Sequence, residues 1–148
     1  ERGISGKEVE CSVLGGDPPE VSVPGQILPK GEFYDYTAKY IDEDGAELII
    51  PADIGAETKK EVRNLALRAF QTAEIEGFAR VDFFVEKGTD KVYINEINTI
   101  PGFTSISMFP RLFIESGKSF GEILDTIIEC ALNRENERKG IEYSYLPE

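Results

Sequence analysis

Two acids and an amide, Asp82, Glu96 and Asn98, lie in the stretch Gly77 to Gly102, GFARVDFFVEKGTDKVYINEINTIPG, with Arg80 close by. Two carboxylates and an amide oxygen on one face are ligands that a hard cation such as Mg²⁺ takes, with phosphates and waters completing its octahedron. A guanidinium beside them binds carboxylate or phosphate oxygens through paired N–H donors and keeps its proton. The competing reading is a solvated strand face on which Arg80 simply pairs with Asp82, because structural ion pairs produce similar clusters.

A β-hairpin has to bring these groups together. Phe78 to Val85 and Lys91 to Ile97 are rich in β-branched and aromatic residues, and Lys87-Gly88-Thr89-Asp90 between them has turn chemistry. A turn centred on Thr89 sets Arg80 opposite Asn98, Asp82 opposite Glu96 and Phe84 opposite Ile94, and strand alternation points all six to one face. Like charges directly opposed are destabilising unless something positive lies between them, so Asp82 and Glu96 call for a cation. The other face carries Val81, Phe83, Val85, Tyr93 and Ile97 as core, and Asn95 does not fit the pattern. Beyond Asn98, Thr-Ile-Pro-Gly-Phe-Thr-Ser-Ile-Ser is a loop that leaves the strand beside the acids.

The remaining elements are coarser. Glu8 to Leu14 alternates as a half-buried strand, with Val9, Cys11 and Val13 on one side and Glu8, Glu10 and Ser12 on the other. Short strand pieces follow at Glu20 to Val23, Gln26 to Leu28 and Glu47 to Ile50. Ala56 to Ile75 has helical periodicity, with a capping box at Thr58-x-x-Glu61, or Gly55 as the alternative cap, and Gly77 as its stop. A short helix is expected over Pro110 to Ser116, closed by Gly117. Another runs from Phe120 to about Arg134 behind the capping box Ser119-x-x-Glu122.

Composition bounds the function. The chain of 148 residues has the length of one domain. A chain of that size buries roughly 68–70% of its unfolded surface. A net charge of −12 argues against a nucleic-acid or anionic-membrane surface. Histidine is absent, which excludes a His-based triad and His-ligated zinc. Cys11 and Cys130 form no CxxC pattern and read as two reduced thiols, which agrees with a cytoplasmic location. No apolar run approaches the roughly 20 residues of a membrane span, and neither GxxxxGK[ST] nor GxGxxG occurs. The chain begins at Glu1 without methionine, as expected of a piece of a longer protein.

RVDFF, then NEINTIPGFTSISMFPR, resembles the ATP-grasp ligases and, within them, the D-alanine-D-alanine ligases. GEFYDYTAKY, from Gly31 to Tyr40, is similar to that family's mobile loop over the active site, and GKEVECSVLG, from Gly6 to Gly15, is a third match. The three lie in the family's order and span most of the chain. The resemblance implies an α+β fold: an antiparallel sheet with helices packed on one side, the C-terminal part of an ATP-grasp fold. It implies a single domain over 1–148, with a mobile active-site loop at 30–44 and a charged tail at 135–148. The implied chemistry is phosphoryl transfer from ATP to a D-alanine carboxylate, then attack by a second D-alanine to give a dipeptide for peptidoglycan. D-lactate or D-serine as second substrate, or a non-catalytic ATP-grasp-like binding domain, are the alternatives.

The same resemblance assigns roles. Asp82, Glu96 and Asn98 match the ligands of two Mg²⁺ or Mn²⁺ ions, with Glu96 bridging. Arg80 and Gly102 match the groups that bind the developing oxyanion; the plain alternative for Gly102 is a turn residue with positive φ. Ser107 matches the hydroxyl that binds the second substrate's carboxylate, against an ordinary helix cap. Lys39 would reach a phosphate and Tyr40 the second D-alanine, against a plain surface pair. Glu1 and Glu8 match acids at the adenine amine and the ribose, and Phe33 and Phe84 match walls of the adenine slot, against core packing. The family's Gly-rich phosphate loop, two phosphate lysines and the first D-alanine's binding groups fall upstream of Glu1, so the fragment is expected to be inactive alone. The implied partners are ATP, D-alanine and the missing N-terminal part, with a homodimer as the family's common assembly and neither nucleic acid nor membrane.

Overall fold

The computed structural model describes residues 3–29 and 46–140. Glu1, Phe33, Lys39, Tyr40 and the expected loop at 30–44 lie outside the described residues. The elements run β1 (Gly6–Leu14), β2 (Glu20–Val21), β3 (Gly25–Pro29), β4 (Ala46–Ile49), α1 (Ala56–Thr72), β5 (Phe78–Glu86), β6 (Val92–Asn98), α2 (Met108–Glu115) and α3 (Phe120–Lys139). The sheet order is β4-β3-β1-β5-β6, with β2 paired to β1, and every pairing is antiparallel. Among the described residues no helix is long and apolar enough to cross a membrane.

β1 pairs with β5 along its whole length, from Gly6 opposite Glu86 to Leu14 opposite Phe78. Alternation then separates two faces. Val9, Cys11 and Val13 join Ala79, Val81, Phe83 and Val85 in a core closed by Val62, Ala66 and Phe70 of α1. Burial among these side chains pushes the Cys11 thiol up to about 12; on α3, partial burial and the neighbouring Glu129 raise that of Cys130, and neither thiol forms a disulfide.

The expected antiparallel α+β architecture is present, but the helices do not share one side. α2 and the start of α3 cover part of the face opposite α1. There Leu14 and Phe78 pack with Phe109, Phe113 and Ile123, and Ser12 Oγ donates to the Phe109 carbonyl at 3.4 Å. A Cβ added to Gly25 would stand 2.7 Å from Leu112 Cδ2 and 3.0 Å from Met108 Sδ, so α2 lies directly on β3. The apolar residues Leu14, Ile27 and Phe78 give this face a second core to build on, which strand alternation alone did not reveal.

Helix ends follow local chemistry, with two departures. α1 starts on Gly55, and Thr58 is buried inside the first turn instead of capping. It stops at Thr72, short of Ile75, because Glu74 takes φ +52° in a Schellman closure: Ile75 N–H bonds Phe70 O at 3.1 Å and Glu74 N–H bonds Gln71 O at 3.1 Å. α2 closes the same way on Gly117, at φ +99°. The charged residues from Glu135 to Lys139, expected to begin a tail, are the last turns of α3.

Ser119 and Glu122 form the expected reciprocal box at the start of α3, and the Ser119 N–H bond holds the Glu122 carboxyl below its usual range. Ser119→Ala should lower stability by about 1 kcal/mol in urea denaturation. Because Glu122's folded-state value is depressed from 4.5, its stabilising contribution is fully present above that value and is lost as pH falls through the lower one. Denaturation of Glu122→Gln should show a shallower loss over that acidic window.

Candidate active site

The β5–β6 hairpin aligns Arg80 with Asn98 and Asp82 with Glu96, as its sequence suggests. Nearer the turn the register differs by one. Phe83 opposes Ile94, Phe84 opposes Tyr93 and Val85 opposes Val92, which leaves Asn95 as the extra residue of a β-bulge. The turn is therefore not centred on Thr89, and Gly88 and Asp90 supply its left-handed backbone at φ +85° and +54°. Two assignments change. Tyr93 joins Phe84 on the polar face, and Ile94 moves to the α1 side, where Val92 and not Tyr93 enters the core. The bulge lets Ile94 and Glu96, two residues apart, point to opposite faces, and it accounts for the exposed Asn95.

Pairing with β1 completes the polar face. Glu8 lies opposite Phe84, Glu10 opposite Asp82 and Ser12 opposite Arg80. The Arg80 guanidinium grips Asp82 in a two-pronged bond, Nε to Oδ1 at 2.7 Å and Nη2 to Oδ2 at 2.8 Å. The same Nε lies 3.0 Å from Glu10 Oε2. Nε has one hydrogen and directs it to Asp82, so Glu10 meets this nitrogen as a charge. Exposure is 7% for Arg80 and Asp82 and 3% for Glu10. The ion pair required by the competing reading is thus real; its members are buried, whereas Glu96 across the hairpin is exposed.

Glu10 is the residue that sequence reasoning left without a role. Its signal, an acid in phase with Glu8 and Ser12, has meaning only once β1 is seated beside β5. A groove lined by Val21, Lys59, Lys60 and Arg63 lies on the α1 side and takes no part in this face.

The loop from Thr99 to Ser107 is anchored by Phe103. Its ring sits 6.2 Å from Phe78, 5.5 Å from Phe109 and 5.5 Å from Phe120, in edge-on and tilted contacts. Asn98 Oδ1 accepts the Ile100 N–H at 3.1 Å where the loop leaves β6. Gly102 does not adopt positive φ, so the turn alternative fails. What it requires is space, since a Cβ there would meet Ser107 Oγ at 2.8 Å. Ser107 stands at the N-cap of α2 without capping it: its Oγ accepts Thr104 N–H at 3.0 Å and shares a 2.8 Å hydrogen bond with Thr104 Oγ1.

The residues suit a divalent cation that works with phosphates. Among the described residues no three Asp, Glu, His or Cys side chains converge as a protein-only cage requires. Asp82 and Glu96 are paired across the hairpin and Asn98 pairs with Arg80 two residues on, so these are the oxygen-bearing side chains that could serve Mg²⁺ if phosphates and waters completed its shell. Arg80 occupies two of the roughly four lone-pair sites of the Asp82 carboxylate and leaves the others open.

Comparison with known proteins shows the family. Residues 1–129 match the family described as D-ala D-ala ligase C-terminus. A D-alanine–D-alanine ligase of Acetivibrio thermocellus is 55% identical over 137 residues, 93% of this chain and 36% of that protein. The solved D-alanine-D-alanine ligase of Coxiella burnetii superposes with a TM-score of 0.80 at 39% identity, over 94% of this chain and 35% of its own. The D-alanine–D-alanine ligase of Bacillus anthracis, solved in complex with ATP, does so at 0.72 and 32% identity, over 93% and 43%. The chain spans well under half the length of the relatives it matches.

Removing the buried guanidinium leaves two carboxylates in a poorly hydrated place. Arg80→Met should therefore cost about 3–5 kcal/mol in chemical denaturation. A loss below about 1 kcal/mol would mean that water reaches these acids in solution.

Proposed function

The chain belongs to the D-Ala-D-Ala ligase C-terminal family, and on that footing we propose that it carries the metal-binding half of an ATP cleft in an enzyme that joins two D-alanines. The observation that carries the reading is the register that aligns Arg80 with Asn98 and Asp82 with Glu96 on one polar sheet face. The proposed reaction starts with transfer of the γ-phosphoryl group of ATP to an oxygen of the first D-alanine carboxylate, giving ADP and an acyl phosphate. The free amine of the second D-alanine then attacks that carbonyl carbon. Phosphate leaves with the C–O bond electrons, and the amine loses a proton.

Two Mg²⁺ or Mn²⁺ ions, held by Asp82, Glu96 and Asn98, would offset phosphate charge and keep the transferring group in line. The chain's own groups do the rest. Arg80 presents fixed N–H donors to the reacting carboxyl oxygens, and burial keeps that charge from being screened. The backbone N–H of Gly102 is the second proposed donor to that oxyanion, on a loop that Phe103 immobilises. The Ser107 hydroxyl, held by Thr104 on the same loop, is the proposed contact for the second substrate's carboxylate. Glu8 and Phe84, opposite each other across β1 and β5, suit the ribose hydroxyls and the adenine face. Glu1, Phe33, Lys39 and Tyr40 are proposed to complete the nucleotide and second-substrate contacts. The proposed setting is the cytoplasm, with the rest of the same polypeptide supplying the other wall of the cleft.

In the complete protein, Asp82→Asn and Glu96→Gln should each abolish Mg²⁺-dependent ADP release in the presence of D-alanine. Near-normal release in both variants would remove the metal assignment. Release stimulated by D-lactate or D-serine more than by a second D-alanine would shift the reading to an ester-forming or D-serine-adding ligase.

A further inference from the structure

We propose that Glu10 is the positioning residue of Arg80: it holds the guanidinium on the sheet face when a cation engages Asp82. The inference rests on the metal-dependent reading above. β5, which bears Arg80 and Asp82, runs between β1 and β6. Glu96 and Asn98, the other cation ligands, come from β6, whereas Glu10 comes from β1 on the opposite flank. Asp82, Glu96 and Asn98 would hold the cation, and its charge would compete with Arg80 for the Asp82 lone pairs. It would also repel the guanidinium that Asp82 binds through both oxygens. An arginine whose sole anchor was Asp82 would be pushed away as the cation arrived, at the step in which it must face the substrate carboxyl group. Glu10 removes that conflict. Its Oε2 is 3.0 Å from Arg80 Nε, and Glu10 belongs to β1, on the flank of β5 opposite β6.

The surroundings of Glu10 give the contact its strength. The residue is 3% exposed, and its β3 neighbour Gly25 lies under Leu112 and Met108. A buried carboxylate is costly unless a positive group stays beside it, so the Glu10–Arg80 contact is costly to break from either side. Glu8, the other acid in phase on β1, aligns with Phe84 and does not share this position.

The test follows the ¹⁵Nε–H resonance of Arg80 in the complete protein, identified by its loss in Arg80→Lys. In the unsubstituted protein the resonance should persist when Mg²⁺ and ATP are added. In Glu10→Gln, which keeps shape and removes charge, it should be present without metal and broaden away with Mg²⁺ and ATP. The same variant should lose about tenfold to hundredfold in kcat while the KM for ATP changes less than about threefold. A resonance that survives Mg²⁺ and ATP in Glu10→Gln, with the melting temperature raised as in the parent, overturns the proposal. Should Glu10→Gln fail to fold, Glu10→Asp takes its place, because it keeps the charge and draws it back by one methylene. Weakening of the resonance only with Mg²⁺ and ATP is then expected, and parent-like behaviour overturns the proposal. A parent protein whose melting temperature ignores Mg²⁺ and ATP overturns the ligase reading instead, and this proposal with it.

Discussion

The pairing of β1 with β5 is the constraint on which the rest depends. It fixes nine opposed residue pairs, and strand alternation converts that register into two chemically different faces. A slip of one residue would turn Glu10 into the α1 core and Val9 toward Arg80. The apolar face therefore excludes a slip by one residue, which would take Val9, Cys11 and Val13 out of the core they share with Val62, Ala66 and Phe70. The polar face inherits its geometry from that choice. Packing on one side of the sheet thus decides that Glu8, Glu10, Arg80 and Asp82 face the other, where the contact of Glu10 with Arg80 depends on the same register.

What could be read from sequence follows the distance over which each feature is encoded. The hairpin is local, so the alignments of Arg80 with Asn98 and Asp82 with Glu96 were legible. The bulge was not, although Asn95, a polar residue with no place in a regular ladder, was its trace. Helix α1 stops early because Glu74 adopts a left-handed backbone, which sequence reasoning reserves for glycine. The division of helices between two faces depends on α2 meeting β3, a contact between segments far apart in the chain. Glu10 falls in the same class: its partner lies 70 positions away, and nothing in ECSVL announces Arg80.

The loop after β6 illustrates how precision is transferred to irregular backbone. Gly102 and Ser107 belong to no strand, and loops usually carry more freedom than the elements they join. Here Phe103 enters a cluster with Phe78, Phe109 and Phe120, so the loop is tied to β5, α2 and α3 together. The missing side chain of Gly102 lets Ser107 Oγ approach and bond Thr104 on the same loop. Rigid support for candidate binding groups is thus supplied by apolar packing beneath them.

The charges on the polar face are harder to explain by stability than by use. Leu14, Ile27 and Phe78 share that face and are covered by α2 and α3, so the sheet is able to bury apolar side chains there. Replacing a buried ion pair by apolar residues of similar volume is commonly neutral or stabilising, since desolvation offsets much of the attraction. Two acids and one arginine, none more than 7% exposed, therefore add little that leucine or phenylalanine would not. They do add a guanidinium held in a fixed orientation and a carboxylate with free lone pairs beside Glu96, in surroundings where charges act at close to full strength. A sheet selected for stability alone would have no reason to keep this cluster, whereas one that must bind phosphate, cation and carboxylate together does.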